Sequence, residues 1–446
     1  MDSRGDVQSV SNAGYNRIRF SSSKVARAVA DQESTRIEQL KNGLTLIGQY
    51  VPGVRSVAFT LLLPGGSALD PPGRWGVANI AAELVFRGAG ERDSRALQNE
   101  LDRLGVVKSI TVGREQTTFS GATLGDNLEP ALELYADALL RPHLAEEQFQ
   151  ATRALVLQEI QTMEEDPKSR VSIELTWRHW PEPFGAPPIG TRESVTSMTY
   201  DDVRAYWEGN YTPSDAILAV AGHFEWSRLR DAVQRLFGEW HGDRPQLRIG
   251  KRRDDRRTHL RQETSQTHLA IACDTVPFDH PDYYGIRMAI AVLSSGASSR
   301  LFTELREKRG LCYAVWASYS FLRITGAVFG YVGTVPQKAD EALELYLHQL
   351  RTVGDNLTDE EVERARAGIK SSLIMGQEST SARAQMAAGD WFYLGRVRPL
   401  EEIQRHLDEL SVQSIRECLA RHPFEDFTIV SLGPEAPRLL RAEATE

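Results

Sequence analysis

Ala131-Leu132-Glu133-Leu134-Tyr135 returns 211 residues later as Ala342-Leu343-Glu344-Leu345-Tyr346. Just after each copy, Leu144-Ala145-Glu146-Glu147-Gln148-Phe149 is answered by Leu357-Thr358-Asp359-Glu360-Glu361-Val362 at an offset of 213, and just before it Phe119-Ser120-Gly121 is answered by Phe329-Gly330 at 210. Three matches keep nearly one spacing, with a strand pattern ahead of paired helix patterns each time. A stacked array needs a period of a few tens of residues and more copies, so the repeat implies two homologous domains. At 446 residues the chain also exceeds what one hydrophobic core holds. The fold expected is α+β, each domain an antiparallel β-sheet backed by α-helices.

Outward from the repeat, Leu40 to Ile47 reads as strand, Asn-Gly turn, strand. Val57 to Leu63 is a continuous apolar run closed by Pro64-Gly65-Gly66, as a buried strand feeding a loop would be. Ser94–Leu104 reads as helix, Ser109–Val112 and Gln116–Ala122 as strands, and Asn127–Leu140 and Ala145–Glu164 as two long helices, the second ended by Asp166-Pro167. A loop over Phe184–Thr191, a short helix over Tyr200–Gly209 and a strand over Ala216–His223 follow, with His223 expected at the strand end facing solvent. The expected boundaries are a polar arm over 1–36, an N-terminal domain over 37–240, a charged linker over 241–260 and a C-terminal domain over 261–446.

A net charge of −9 argues against a nucleic-acid surface, and the basic run Gly250 to Arg257 carries Asp254 and Asp255 within it. The three cysteines, Cys273, Cys312 and Cys418, are too far apart for a zinc knuckle and are expected as buried small hydrophobes. There is no run of eighteen apolar residues and no export h-region, so no membrane span and a cytoplasmic location are expected. Asp2, Asp6, Asp31 and Glu33 set the Ser/Arg-rich arm apart from a transit peptide.

Two stretches carry chemistry. In Gly76 to Gly88, Val77, Ile80, Ala81, Leu84 and Val85 recur at helical spacing, while Asn79 and Glu83 stand four apart on one face. Glu159 lies 76 residues after Glu83 in a second helical run, Leu155 to Ile160. The other stretch runs from Leu293-Ser294-Ser295-Gly296-Ala297-Ser298-Ser299-Arg300-Leu301-Phe302 through Leu305-Arg306-Glu307-Lys308-Arg309-Gly310-Leu311-Cys312-Tyr313. Together these resemble the pitrilysin/insulinase-type metallopeptidases, the inverzincins, over residues 37 to 435. The first stretch resembles their His-x-x-Glu-His zinc helix, with Asn79, Ala82 and Glu83 in the positions of ligand, general base and ligand. Glu159 matches the third ligand.

The resemblance implies a zinc site out of order. A carboxamide is a poor zinc donor beside imidazole, and alanine takes no proton from water. Asn79, Ala82, Glu83 and Glu159 are therefore expected as degenerate positions, with no metal, no cofactor and no catalytic residue in this chain. In family members the arginine and tyrosine of the second stretch, here Arg306 and Tyr313, hold peptide backbone near the other half's zinc, with Arg309 expected on the solvated side of the same helix. The family's two-chain, mitochondrial-processing-peptidase-like branch pairs a zinc-bearing subunit with a partner that lacks the motif. The expected role is that non-catalytic subunit of a heterodimer, its partner a homologous chain with intact His-x-x-Glu-His and zinc, its substrate a peptide. The alternative is a structural core subunit of a larger complex.

Overall fold

The computed structural model describes residues 35–441. Of the polar arm over 1–36, only Thr35 and Arg36 fall within them, where they open the first strand; the rest of the arm lies outside the described residues. In the first half, β1 (Thr35–Gln39), β2 (Thr45–Tyr50) and β3 (Ser56–Pro64) precede α1 (Val77–Leu84). A two-residue hairpin, β4 (Gly88–Ala89) and β5 (Arg92–Asp93), leads to α2 (Ser94–Arg103), β6 (Val107–Val112) and β7 (Gln116–Leu124). Then come α3 (Leu128–Leu140), α4 (Glu146–Glu165), α5 (Pro167–His179), α6 (Arg192–Ser197), α7 (Tyr200–Asn210), β8 (Ile217–Gly222) and α8 (Trp226–Phe237). The second half holds β9 (Arg257–Arg261), β10 (Thr267–Thr275), α9 (Tyr283–Ser294), a π-helical turn over Phe302–Glu307, β11 (Ala314–Phe321) and β12 (Gly326–Thr334). It closes with α10 (Ala339–Arg351), α11 (Asp359–Glu378), α12 (Thr380–Leu394), α13 (Leu400–Asp408), α14 (Val412–Arg421), β13 (Thr428–Gly433) and α15 (Arg438–Arg441).

The first sheet runs β1-β2-β8-β3-β7-β6 and the second β11-β12-β10-β13-β9. Each is antiparallel except at one pair, β2 with β8 and β9 with β13. The repeat appears where the sequence put it: β7 and β12 carry Phe119 and Phe329, α3 and α10 carry the Ala-Leu-Glu-Leu-Tyr copies, and α4 and α11 follow. The equivalent Tyr135 and Tyr346 hydroxyls each donate to a strand carbonyl, of Ser120 at 2.7 Å and of Trp316 at 3.0 Å. Both rings are fully buried, so each copy pins its helix to its sheet by apolar burial and a satisfied hydroxyl.

One reading is extended and one is corrected. Asp166-Pro167 ends one helix and starts another: Asp166 caps α5 by accepting from the Ser169 N–H at 2.9 Å, and Pro167 stands in the first turn, where its missing N–H costs nothing. The charged stretch read as a linker to residue 260 gives up Arg257 to Leu260 to β9, an edge strand whose exposed side tolerates charge. His223 is exposed at the end of β8, and the three cysteines are buried and unpaired.

The halves exchange helices. α5, made with the first half, lies on β10 and β13 of the second sheet, where Val171, Leu175, Trp180 and Phe184 pack with Phe329, Tyr331 and Leu432. His179 at its end is fully buried, its Nδ1 3.0 Å from the Thr428 hydroxyl. In return, α12 lies on β3 and β8 of the first sheet, setting Ala387, Ala388 and Phe392 against Ile47, Leu62, Ile217 and Ala219. Each sheet thus has one face on its own helices and the other on a helix from the opposite half.

Candidate functional site

The helix carrying Asn79, Ala82 and Glu83 is held at its start by a buried carboxylate. Gly76 adopts the left-handed conformation at φ 94°, and a Cβ there would come within 2.5 Å of the Ile189 carbonyl oxygen, so only glycine fits. The Asp70 carboxylate accepts from the Gly76 N–H at 2.6 Å and the Ala78 N–H at 3.0 Å, taking up two of the donors left free at a helix start. Asp70 is 4% exposed, and burial pushes its carboxyl up to about 8 although both backbone hydrogen bonds pull the other way. A folded-state pKa above the unfolded one gives stability that is full below the unfolded pKa of about 3.8 and is lost as pH rises through about 8. Asp70→Asn is expected to remove that slope. Urea midpoints of wild type and variant between pH 5 and 9 should converge or cross toward high pH, and parallel curves would count against the assignment.

From this anchor α1 buries Val77, Ile80, Ala81, Ala82 and Leu84 and turns Asn79 and Glu83 to a half-buried face. α4 packs against it through Val156 and Ile160 and carries Glu159 on its exposed side. The two helices expected to share a site are therefore neighbours. Their donor set is one carboxamide and two carboxylates, and the position between Asn79 and Glu83 that would need a base is the methyl of Ala82, wholly buried. Glu83 faces Lys108 of β6 across an open recess of about 420 Å3, which Arg87 and Arg95 also line. Lys108 rides over the Phe86 ring at 4.5 Å, and its ammonium is pushed below the usual lysine range by burial, with Glu83 opposing and Arg87 adding to the effect. A cation-rich wall is a poor neighbour for zinc. Sequence reading missed the roles of both Asp70, seven residues ahead of the helix start at Val77, and Lys108, which reaches Glu83's recess only through sheet pairing.

Among the described residues, one group of metal-type side chains has ligand atoms that converge, and it lies elsewhere: His280, Asp282 and His422. Its groups already have partners. Arg421 donates to both oxygens of Asp282 at 2.7 and 3.1 Å, His422 Nε2 is 3.0 Å from the same carboxylate, and His280 Nδ1 accepts from the Asp282 N–H. The cluster ties the start of α9 to the end of α14.

Arg306 and Tyr313 stand in the second half, on the π-helical turn and at the entry to β11. The Arg306 guanidinium is exposed and lies 4.8 Å over the Phe302 ring, and Tyr313 is 62% exposed while its N–H is held by the Gly333 carbonyl at 2.9 Å. Backbone and stem are fixed and the polar ends are presented outward. No hydrogen bond or ion pair joins either to Asn79, Glu83 or Glu159 among the described residues. Arg309 is not simply solvated: it donates to the Glu304 carboxylate at 2.6 Å and to the Glu304 carbonyl at 3.1 Å, and Lys308 reaches the same carboxylate. Those bonds fasten the π turn.

The comparisons agree with this architecture. The family model described as Insulinase (Peptidase family M16) matches residues 47–190, and the one described as Peptidase M16 inactive domain matches residues 197–369. Among curated relatives, an uncharacterized zinc protease of Bacillus subtilis is 27% identical over 88% of this chain and 97% of its own length, and one of Mycobacterium bovis is 26% identical over 94% and 97%. Among solved structures, a peptidase M16 inactive domain from Pseudomonas fluorescens aligns with a TM-score of 0.83 at 21% identity, covering 90% of this chain and 98% of that one. A complex III structure from Candida albicans contains a chain with a TM-score of 0.75 at 18% identity, covering 92% of this chain and 97% of that one. With two adjoining matches that run from residue 47 to 190 and from 197 to 369, a duplicated α+β fold and relatives aligned over nearly their whole length, the chain belongs to the insulinase family of M16 peptidases.

Proposed function

We propose that this chain is the catalytically silent subunit of a two-chain zinc peptidase, closing a peptide chamber and offering Arg306 and Tyr313 to a substrate beside the partner's metal. The observation that carries it is Ala82: at the position for proton transfer stands a buried methyl, on a helix that is otherwise capped and packed. Without a base there, nothing at that position takes a proton from water or passes one to a leaving amine. Asn79, Glu83 and Glu159 do not fit a zinc ion, because no imidazole is among them and Lys108 and Arg87 already face Glu83's recess. The site therefore supplies no step of its own, and the partner, a homologous chain with an intact motif, carries zinc and hydrolysis. Of the described residues, no helix is long and apolar enough to cross a membrane, and the reading is of a cytoplasmic protein.

The purified chain is expected neither to hold zinc at its degenerate helix nor to cleave a quenched peptide. Metal analysis and the peptide assay, with Glu159→Ala as comparison, decide it: a zinc equivalent or a turnover that Glu159→Ala abolishes would overturn the reading. The likeness to a complex III chain favours a second reading, a structural core subunit of a larger assembly without peptide turnover. The two part at Arg306 and Tyr313, which a scaffold does not need.

A further inference from the structure

The recess beside Glu83 is built from three neighbouring elements. The end of α1 brings Glu83 and the turn after it Arg87, the start of α2 brings Ser94, Arg95 and Asn99, and β6 brings Lys108. Three cations and one carboxylate line it in a chain whose net charge is −9. Among the described residues none of the three cations closes an ion pair, with Glu83 or with anything else. This sets them apart from their neighbours, since Arg92 is matched by Asp137 at 3.0 Å and Arg103 by Glu100 at 2.8 Å. Lys108 is half-buried with its ammonium over the Phe86 ring, and Arg87 is half-buried as well. A partly desolvated cation that no ion pair closes costs free energy that an incoming anion returns, and the carboxylate of Glu83 offsets only part of that cost at Lys108.

We propose that this recess is a carboxylate subsite, in which Lys108, Arg87 and Arg95 bind an acidic group of a peptide and Ser94 and Asn99 add neutral donors. It rests on the reading that the chain lines a peptide chamber, and it adds the chemical class of the peptide. The room, about 420 Å3, takes an acidic side chain or a C-terminal residue with its carboxylate. Glu83 sits in the same wall and opposes any anion placed there, so neutralising it strengthens binding. That sign separates the subsite from a metal site, where losing the Glu83 carboxylate would weaken binding.

The test is fluorescence anisotropy on the purified full chain with three heptapeptides bearing a neutral fluorophore. One has a central Glu and an amidated C-terminus, one a central Gln and a free C-terminus, and one a central Gln and an amidated C-terminus. At low salt one or both acidic peptides are expected to bind about tenfold tighter than the neutral one, and the arm that does so names the source of the carboxylate. Lys108→Gln and Arg87→Gln should each shrink that preference severalfold, and Glu83→Gln should enlarge it, with unchanged circular dichroism in all three. Equal binding of the three peptides to wild type overturns the subsite and leaves the peptide reading standing. A preference that survives both cation variants, or one that Glu83→Gln reduces, also overturns it. Binding of none of the three removes the peptide reading and the subsite with it.

Discussion

Arg306→Ala or Tyr313→Phe, in the reconstituted two-chain complex, is expected to lower kcat/KM by about tenfold to a thousandfold, roughly 1.4 to 4 kcal/mol, with the complex still assembling. A guanidinium and a phenol both donate to carbonyl oxygen, and those bonds tighten as negative charge gathers on that oxygen. The loss should therefore fall on turnover more than on binding. Both polar ends are outward: among the described residues the Arg306 guanidinium has its ring contact over Phe302 and no ion pair, and Tyr313 is held through its backbone. Arg309 is an unsuitable control because its bonds to Glu304 fasten the turn. Glu307, exposed on the same turn, is the better one, and Glu307→Gln should change the rate less than twofold or so. Steady-state kinetics with gel filtration of each complex checks this. Wild-type rates in both variants, or loss of the complex, would transfer the case to the scaffold reading.

The largest expected effect on stability lies at Asp390. On α12 this carboxylate is 2% exposed and takes the Arg398 guanidinium at 2.6 to 3.2 Å and the Arg398 backbone N–H at 2.9 Å, while Arg398 also donates to the Tyr284 hydroxyl at 2.9 Å. Arg398 sits 4.6 Å over the Phe278 ring. Burial works against its charge, but Asp390 outweighs burial and holds its pKa above the ordinary arginine value. Asp390→Ala would leave that charge buried and unmatched, a loss of about 3 to 5 kcal/mol. Asp390→Ala with Arg398→Met should recover part of it, since the cost is the orphaned charge more than the absent pair. Urea-denaturation midpoints of the two single variants and the double variant test this. A single variant within about 0.5 kcal/mol of wild type would show that the pair does not hold α12.

What was legible in the sequence was what repeats or alternates. The Tyr135 and Tyr346 copies, the apolar run Val57 to Leu63 and the Asn-Gly turn each encode their element within a few residues, and each stands where its pattern put it. The helix of Asn79 and Glu83 was legible too, because their spacing is a local property. What escaped depends on partners distant in sequence. Pro167 looks like a stop from upstream and a start from downstream, and only the second sheet under α5 shows why the chain goes on. Arg257 to Leu260 looks like solvent-facing charge until β13 pairs with it. Asp70 and Lys108 gain their roles from burial and from a neighbouring strand, neither of which leaves a local mark.

The exchange of α5 and α12 also sets a timetable for the growing chain. The last strand of the first sheet is complete at Gly222, yet the helix that covers its far face begins at Thr380. Roughly 160 residues are synthesised in between, about 8 to 30 s at ordinary translation rates. Through that interval Ile47, Leu62, Ile217 and Ala219 form an apolar surface with no cover of its own. Over the same interval α5 stands made and unseated, because β10 and β13 do not yet exist to receive it. A ribosome-bound chain stopped near residue 240 would thus present both a bare sheet and a stray helix, and should recruit a holding chaperone until the second half emerges.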